Sequence, residues 1–287
     1  YSAWIARMSA EPELPLIDDP LSAAAMPAAF EVPGPPGSTP GTDYRDIRCF
    51  PKGSRAGIFF HDVLEQLDFS LPADTGRIDR KLREYGFDPG WGATVARTVD
   101  ETVTIPLTGD GGPLRLCEIA TQKRIHEMEF YFPLNTTDPQ RLRDGFRGCL
   151  QGFDAAAADS AMQRLSFSRV RGFFKGYIDL VFEHGGRFYL VDWKSNFLGE
   201  RPEDYRRENL TGAMLSHSYH LQYHLYTLAV NRFLGRRVPD YRYEKDFGGG
   251  FYIFIRGVSA ESGDRYGVFY DRPEPECIAT LERRLIP

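Results

Sequence analysis

The sequence predicts a mixed α/β domain, and three observations support this class. Helix-like and strand-like segments alternate along the chain, a β-hairpin pattern stands near its middle, and apolar residues are plentiful. Of 287 residues, 42% are hydrophobic and 14% aromatic, which is enough for the core of one large domain. The order of elements, helices, then strands, then helices and a last strand, is typical of a mixed sheet flanked by helices.

The predicted helices share apolar side chains at helical spacing, as in Phe60, Val63, Leu64 and Leu67. We predict helices over residues 57–69, 77–85, 91–103, 139–150, 202–216, 219–234 and 277–285. Asp138 stands where a capping residue of the fourth helix is expected.

The predicted strands are rich in β-branched and aromatic residues. Residues 173–183 and 187–194 are two such runs, joined by a short loop that contains Gly185 and Gly186, which is typical of a hairpin. Residues 124–132 and 251–256 are predicted as further strands.

The first part of the chain has a different composition from the rest. Residues 1–45 are rich in Pro, Ala and Gly, so they bury little and are predicted to be a linker. Residues 46–287 are predicted to form the folded domain. Because the chain begins at Tyr1 rather than Met, we expect it to be a fragment of a longer protein.

Charge and cysteine content narrow the function classes. The net charge of -5 argues against a protein that coats nucleic acid through charge alone. The four cysteines lie far apart, without a C-x-x-C pair, so we expect isolated reduced thiols in a cytoplasmic protein, with a four-cysteine zinc or iron–sulfur site as the alternative. No apolar run approaches the about 18 residues that favour a membrane span, so none is expected.

The predicted hairpin brings together residues suited to phosphodiester chemistry. Asp192 and Lys194 are two apart near the end of the second strand and therefore share a face, with Trp193 on the other. The hairpin returns them to the neighbourhood of Asp179. Two carboxylates can hold Mg²⁺, and a lysine can orient water or stabilise charge on a phosphate.

A lone Asp-x-Lys has a simpler interpretation as a solvated ion pair on a surface strand. Here, however, Asp192 follows the apolar run at residues 188–191, and a carboxylate that ends a buried strand needs a partner. Asp179 adds repulsion unless a cation lies between the two. The sequence therefore favours a metal site, and Asp192→Ala is expected to remove Mg²⁺-dependent cleavage with near-normal thermal unfolding.

Other polar residues are weak signals when each is taken alone. His61 lies on the first predicted helix, where a packed, hydrogen-bonded histidine is the usual finding. Glu127 and Glu129 share one strand face, which is more often simply solvated. Gln222 and Tyr226 are four apart on one helix face and could mark an amphipathic boundary.

Taken together, these segments resemble the RecB-type C-terminal nuclease domain of the RecBCD helicase–nuclease, exodeoxyribonuclease V. The resemblance is carried by residues 176–181 (Gly-Tyr-Ile-Asp-Leu-Val), 189–196 (Tyr-Leu-Val-Asp-Trp-Lys-Ser-Asn) and 221–226 (Leu-Gln-Tyr-His-Leu-Tyr), with support from 57–61, 127–131, 247–250 and 254–257. It implies a restriction-endonuclease-like PD-(D/E)xK core. Ile178 stands where the motif's name has Pro, and Asp192 is an allowed alternative to Glu.

The resemblance also implies roles for individual residues. Asp179 and Asp192 would be metal ligands and Lys194 the catalytic lysine. Trp193 would offer its backbone carbonyl to the metal, and His61 would be an additional ligand.

Three more residues receive roles in the same way. Glu127 would be the upstream acid, with Glu129 as the other choice, and Gln222 and Tyr226 would be a helix pair near the DNA backbone. One or two Mg²⁺ ions are implied. No G-x-x-x-x-G-K-[ST] loop is present, so no ATP site is expected.

Implied substrates are single-stranded DNA and linear duplex ends, and implied partners are the RecC and RecD subunits. A catalytically silent DNA-binding or regulatory module and a stand-alone repair nuclease are the alternatives.

For DNA contact, Arg206 and Arg207, near Arg201, could hold phosphates. A second group at residues 232–242 could do the same, and pairing with the chain's acids is an equal alternative for both. Tyr205, Tyr219 and Tyr223 could stack on bases, although core packing is the expectation for most of them.

Overall fold

The computed structural model describes residues 45–150, 152–165 and 170–287 of the chain. Within them, a five-stranded mixed sheet lies between helices, which confirms the predicted α/β class and agrees with a restriction-endonuclease-like core. The linker predicted over residues 1–45 lies, apart from Arg45, outside the described residues.

The helices match the predicted ones, with shifted ends and two additions. They are α1 (Ser54–Glu65), α2 (Thr75–Glu84), α3 (Gly92–Thr104), α4 (Pro139–Phe146), α5 (Ala155–Gln163), α6 (Arg207–Ser216), α7 (Tyr219–Arg237), the single turn α8 (Tyr243–Asp246) and α9 (Pro275–Leu285). Asp138 caps α4, as predicted, by accepting a hydrogen bond from the backbone of Arg141. The helix predicted over 202–216 is divided, because a short 3-10 turn, Pro202–Tyr205, precedes α6.

The strands are β1 (Leu107–Gly109), β2 (Gly112–Leu114), β3 (Arg124–Thr137), β4 (Val170–His184), β5 (Arg187–Lys194), β6 (Phe247–Phe254) and β7 (Val268–Asp271). β1 and β2 form a separate ribbon, and the main sheet has the order β3-β4-β5-β6-β7. The predicted hairpin is confirmed as β4–β5, whereas β5 and β6 are parallel. β6 begins earlier than predicted and includes Gly249, where φ is 110° and a Cβ would lie 2.6 Å from the Tyr270 ring.

The sheet separates two apolar cores. The N-terminal core lies under α1–α3 and includes Phe50, Phe59, Phe60, Phe69, Val95, Val99, Val191, Trp193 and Ile253. The C-terminal core lies under α6, α7 and α9 and includes Met128, Phe130, Leu190, Leu228, Tyr252, Phe254 and Leu281. Because β5 is buried on both faces, its polar residues at the C-terminal end are enclosed by protein.

Arg256 connects the sheet to the segment that enters the domain. Its side chain is fully buried, and its guanidinium donates to the carbonyl oxygens of Ser195, Ile47, Phe50 and Pro51 at 2.7–3.1 Å. A buried arginine whose N–H groups are satisfied by carbonyls holds several chain segments in one geometry.

The expectation that all cysteines are isolated thiols was wrong. Cys149, just after α4, and Cys277, in α9, form a disulfide across 128 residues of sequence, whereas Cys49 and Cys117 are free. Sequence spacing gave no sign of this, because the pairing follows from the packing of α4 against α9. None of the helices in the described part of the chain is long and apolar enough for a membrane crossing.

Candidate metal centre

The two aspartates lie where the β4–β5 ladder ends. Its last pair is Leu180 with Val191, and the same register would place Asp179 opposite Asp192. Instead, the Trp193 N–H donates to Asp179 Oδ2 at 2.7 Å. A carboxylate thus takes the place of the next rung of the ladder, which fixes the orientation of Asp179 inside the protein.

Asp192 and Lys194 share one face of β5, as the strand period predicts. Lys194 Nζ contacts Asp192 Oδ2, and both side chains are buried. The ammonium also donates to Gln222 Oε1 at 3.1 Å and lies 4.1 Å from the centre of the Tyr219 ring. Trp193 points the other way into the N-terminal core. Among the described residues, Asp192 Oδ2 accepts no hydrogen bond of regular geometry despite the contact with Lys194.

Glu127 faces Asp179 across the β3–β4 ladder, and its backbone is unusual. The ladder pairs on either side bring the two residues opposite each other, although they do not themselves form a ladder pair. Glu127 has φ of 48°, which costs a non-glycine residue about 1–2 kcal/mol. On one side of it, His126 packs edge-on against Phe69 of the N-terminal core. On the other, Met128 joins the C-terminal core. Residues two apart in a regular strand share a face, but His126 and Met128 point to different cores. The regular alternation of side chains along β3 is therefore interrupted at Glu127.

The structure groups Glu127, and not Glu129, with His61 and Asp179. Each of the three offers a ligand atom within 4.8 Å of the other two, and His61 Nδ1 lies 3.2 Å from Asp179 Oδ1. Glu129 instead forms an ion pair with Lys175 at 2.7 Å on the surface. The carboxylates and the imidazole thus come from three elements, α1, β3 and β4, next to the end of β5.

Burial and mutual repulsion raise the pKa values of two carboxyl groups at this centre. The pKa of Glu127 is raised to about 7, first by burial and then by the Asp179 carboxylate. Burial likewise raises the pKa of Asp192 to about 6, although Lys194 opposes this. Burial lowers the pKa of His61, but the hydrogen bond and charge of Asp179 outweigh it, so the net shift is upward. A divalent cation would relieve this repulsion.

Replacing Glu127 with glutamine is expected to stabilise the metal-free protein at high pH. The folded-state pKa of Glu127 lies above that of the unfolded chain, so this group's contribution to stability is lost as pH rises from about 4.5 to about 7. Glutamine has no such loss. After allowance for partial exposure we expect about 1 kcal/mol, or about 2–4 °C in Tm, at about pH 8.

The measurement is thermal unfolding in EDTA at about pH 8 and about pH 4, where the difference should nearly vanish. Glu129→Gln is the matched control, because Glu129 lies two residues away at the surface. A wild-type-to-variant difference that stays the same at both pH values would contradict the prediction.

The helix pair predicted from the sequence lies beside the lysine. Gln222 Nε2 donates to the Tyr226 hydroxyl at 2.9 Å, while Gln222 Oε1 accepts from Lys194 and from the Tyr252 hydroxyl at 3.2 Å. Gln222 is therefore held from both sides, and its oxygen is directed at the ammonium.

Arg206 and Arg207, which are predicted to bind DNA, are exposed, but the residues that they contact lie outside the candidate metal centre. Arg206 pairs with Glu208 at 3.6 Å, and Arg207 donates to the backbone of Tyr270 in β7 at 3.1 Å. Their DNA-binding role stays a prediction. Of the tyrosines considered for stacking, Tyr205 and Tyr223 are buried and Tyr219 is partly buried, so core packing is confirmed for them.

The sequence analysis missed Tyr252 and considered Tyr219 only for base stacking, not for contact with Lys194. Tyr252 pairs with Asp192 in the β5–β6 register, and its ring lies 5.2 Å from Lys194 Nζ. The parallel pairing of β5 and β6 is the signal that could have identified it. Tyr219 contacts the lysine through its ring and donates to Asn196 Oδ1 at 3.1 Å.

Known proteins provide independent evidence of relationship. The chain is 38% identical over 233 residues to RecBCD enzyme subunit RecB of Escherichia coli, covering 81% of this chain and 19% of that subunit. It is 37% identical over 237 residues to RecBCD enzyme subunit RecB of Haemophilus influenzae, which covers 83% of this chain and 19% of that subunit. It is 30% identical over 262 residues to RecBCD enzyme subunit RecB of Mycobacterium tuberculosis, which covers 82% of this chain and 24% of that subunit.

No protein-family model matches the chain. The chain spans about a fifth of the length of the RecB subunits that it matches. It is therefore a homologue of RecB, related to that subunit of RecBCD enzymes over most of its own length.

Proposed function

We propose that this chain is a Mg²⁺-dependent deoxyribonuclease domain that hydrolyses phosphodiester bonds of linear DNA, with residues 46–287 as the nuclease domain. The observation that supports it best is the meeting of three carboxylates, from the adjacent strands β3, β4 and β5, with a lysine at the C-terminal end of β5. The fit to a cation is supported by the ligand atoms of His61, Glu127 and Asp179 within 4.8 Å of one another and by the raised pKa of Glu127.

Asp179, Asp192, His61 and the Trp193 carbonyl would hold one or two metal ions, and Glu127 offers a further ligand atom within 4.8 Å of those of Asp179 and His61. Oxygen ligands suit Mg²⁺, and the imidazole nitrogen also suits Mn²⁺. When bound, the metal supplies Lewis-acid polarisation of the phosphate and a more acidic water. The proposed task of the protein is to hold these carboxylates in fixed positions, which the Trp193 N–H supports at Asp179.

Lys194 would orient the attacking water or stabilise negative charge on the phosphate. Its position is constrained by Asp192, Gln222 and the rings of Tyr219 and Tyr252. The pKa of Lys194 is raised, because the neighbouring carboxylate outweighs the effect of burial, so the group stays an ammonium. Because the ammonium is already held in position, little reorganisation energy is required when negative charge develops beside it.

An exposed aromatic surface next to the centre could hold single-stranded DNA. Tyr131 and Phe173 are 55% and 57% exposed and stack with ring centres 4.5 Å apart. Tyr177, exposed on the same strand as Phe173, lies two residues from Asp179, and Lys175 stands between the aromatic residues. Exposed rings beside a cation are the usual elements of a base-stacking surface.

The double variant Tyr131→Ala/Phe173→Ala is expected to bind single-stranded DNA at least about tenfold more weakly, because each base stacked on a ring contributes about 1–3 kcal/mol. Fluorescence anisotropy with a labelled oligothymidylate in EDTA measures this without cleavage. Leu71→Ala, which removes an equally exposed apolar side chain, is the control. Unchanged affinity in the double variant would exclude this surface.

We propose that this activity serves double-strand-break processing and recombinational repair, and the relationship to RecB supports this proposal. We propose that the domain acts on strands delivered by the rest of RecB, in a complex with RecC and RecD. The matched relatives are named as subunits of the RecBCD enzyme, which supports this setting.

The decisive experiment is digestion of end-labelled linear DNA, single-stranded and duplex, by the chain in Mg²⁺, Mn²⁺ or EDTA. We expect cleavage in either metal and none in EDTA. Tight DNA binding without hydrolysis in either metal would instead favour a binding or regulatory module.

A further inference from the structure

A second group of metal-ligand residues lies in the C-terminal core. Cys149, Cys277 and His224 each offer a ligand atom within 4.8 Å of the other two. They come from the end of the α4 segment, from α9 and from α7, none of which supplies a carboxylate to the candidate metal centre. Cys277 and His224 are buried, and Cys149 is partly buried.

His224 is prepared to act as a ligand through one nitrogen. Its Nδ1 lies 2.7 Å from the carbonyl oxygen of His220, and because a carbonyl only accepts, Nδ1 carries the proton. Burial lowers the pKa of His224 to about 4, so the ring is neutral and Nε2 keeps its lone pair. The ring is 0% exposed, and Nε2 makes no hydrogen bond of regular geometry to the described residues, although the backbone of Cys149 lies close enough to raise the pKa of the ring slightly against burial.

We propose that Cys149, Cys277 and His224 form a site for a thiophilic divalent cation, of which Zn²⁺ is the best fit, and that the disulfide is its oxidised form. Two thiolates and one imidazole are a common zinc ligand set, with a fourth position left for water. A backbone carbonyl that fixes the second ring nitrogen is also the usual partner of a metal-bound histidine.

The two forms exclude each other and are linked by a two-electron step. A dithiol reductant transfers two electrons and two protons to the disulfide, becoming a disulfide itself and leaving two Cys thiols. Zn²⁺ then displaces the two thiol protons, so binding strengthens as pH rises. The metal form would join the same three helical segments that the disulfide and packing now join.

Sulfur ligands distinguish this site from the carboxylate centre. The chain is first reduced with a dithiol, then separated from the reductant and kept free of oxygen. Added Co²⁺ should then give a sulfur-to-metal charge-transfer absorption. Zn²⁺ added afterwards should displace Co²⁺ and remove this absorption. Co²⁺ at the carboxylate centre cannot give this band. The band should be absent from the oxidised chain and from Cys149→Ser/Cys277→Ser, and present in Cys49→Ser/Cys117→Ser, which changes only the free thiols.

His224→Ala should retain the band with Co²⁺ affinity reduced at least about tenfold. In the unmutated reduced chain, Zn²⁺ should slow alkylation of Cys149 and Cys277 at least about tenfold without protecting Cys49 or Cys117, and Mg²⁺ should have no effect. No charge-transfer band in the reduced wild type, or equal alkylation with and without Zn²⁺, would overturn the proposal.

Discussion

Replacing Asp192 with asparagine is expected to reduce Mg²⁺-dependent DNA cleavage by at least about 10³-fold, equivalent to several kcal/mol of transition-state stabilisation. The amide keeps the size of the side chain and an oxygen for Lys194, but removes the charge that would hold the cation. The measurement is the initial rate of cleavage of end-labelled linear DNA, together with calorimetric titration of Mn²⁺, which should show weakened binding.

The structure changes the choice of substitution at this position. Asp192→Ala was expected to leave thermal unfolding near normal, but Asp192 is only 2% exposed and contacts the buried ammonium of Lys194. Alanine would leave that ammonium without its partner, which typically costs about 3–5 kcal/mol. Asparagine separates the loss of charge from the loss of packing more cleanly.

Glu183→Gln is a suitable control for Asp192→Asn, because Glu183 lies in the neighbouring strand and pairs with Lys123 at the surface. It should cleave DNA like the wild type. Cleavage by a folded Asp192→Asn chain within about tenfold of the wild-type rate, about 1.4 kcal/mol, would refute the assignment of Asp192.

Lys194→Met is expected to lower the cleavage rate by about 10²–10³-fold while Mn²⁺ binding is retained. Methionine keeps an unbranched side chain beside the rings of Tyr219 and Tyr252, and it removes the charge together with the hydrogen bond to Gln222. Without that charge the Asp192 carboxyl should take up a proton more readily, because the ammonium now opposes the effect of burial. Mn²⁺ affinity should therefore fall more steeply at low pH than in the wild type.

Single-turnover cleavage and calorimetric titration in parallel measure the two quantities. Lys123→Met provides the comparison, since Lys123 also pairs with a carboxylate but is 49% exposed. Loss of both metal binding and rate at neutral pH would show that Lys194 organises the ligands and does not act on the reacting phosphate.

Local patterns were sufficient to predict the central elements of the fold. The hairpin, the helices of the N-terminal core and the capping role of Asp138 follow from short-range periodicity and turn chemistry, which act within a few residues. The ribbon β1–β2 and the edge strand β7 are three or four residues long, so they carry too little pattern to be recognised. The Cys149–Cys277 pairing depends on contacts across 128 residues, which local sequence does not encode.

Most residues of the candidate site could be predicted from the sequence, but the backbone conformation that selects between Glu127 and Glu129 could not. Strand period placed Asp192 with Lys194, and helix period placed Gln222 with Tyr226, as the structure also does. The choice between Glu127 and Glu129 depended on a left-handed backbone conformation, which residue type does not suggest for glutamate. The roles of these residues in catalysis remain predictions.

Arg256 has a mechanical consequence for the centre. One guanidinium donates to the carbonyl of Ser195, the residue directly after Lys194, and also to carbonyls of the chain at residues 47–51. A force applied to the chain at Ile47 would therefore be transmitted through this side chain to the end of β5.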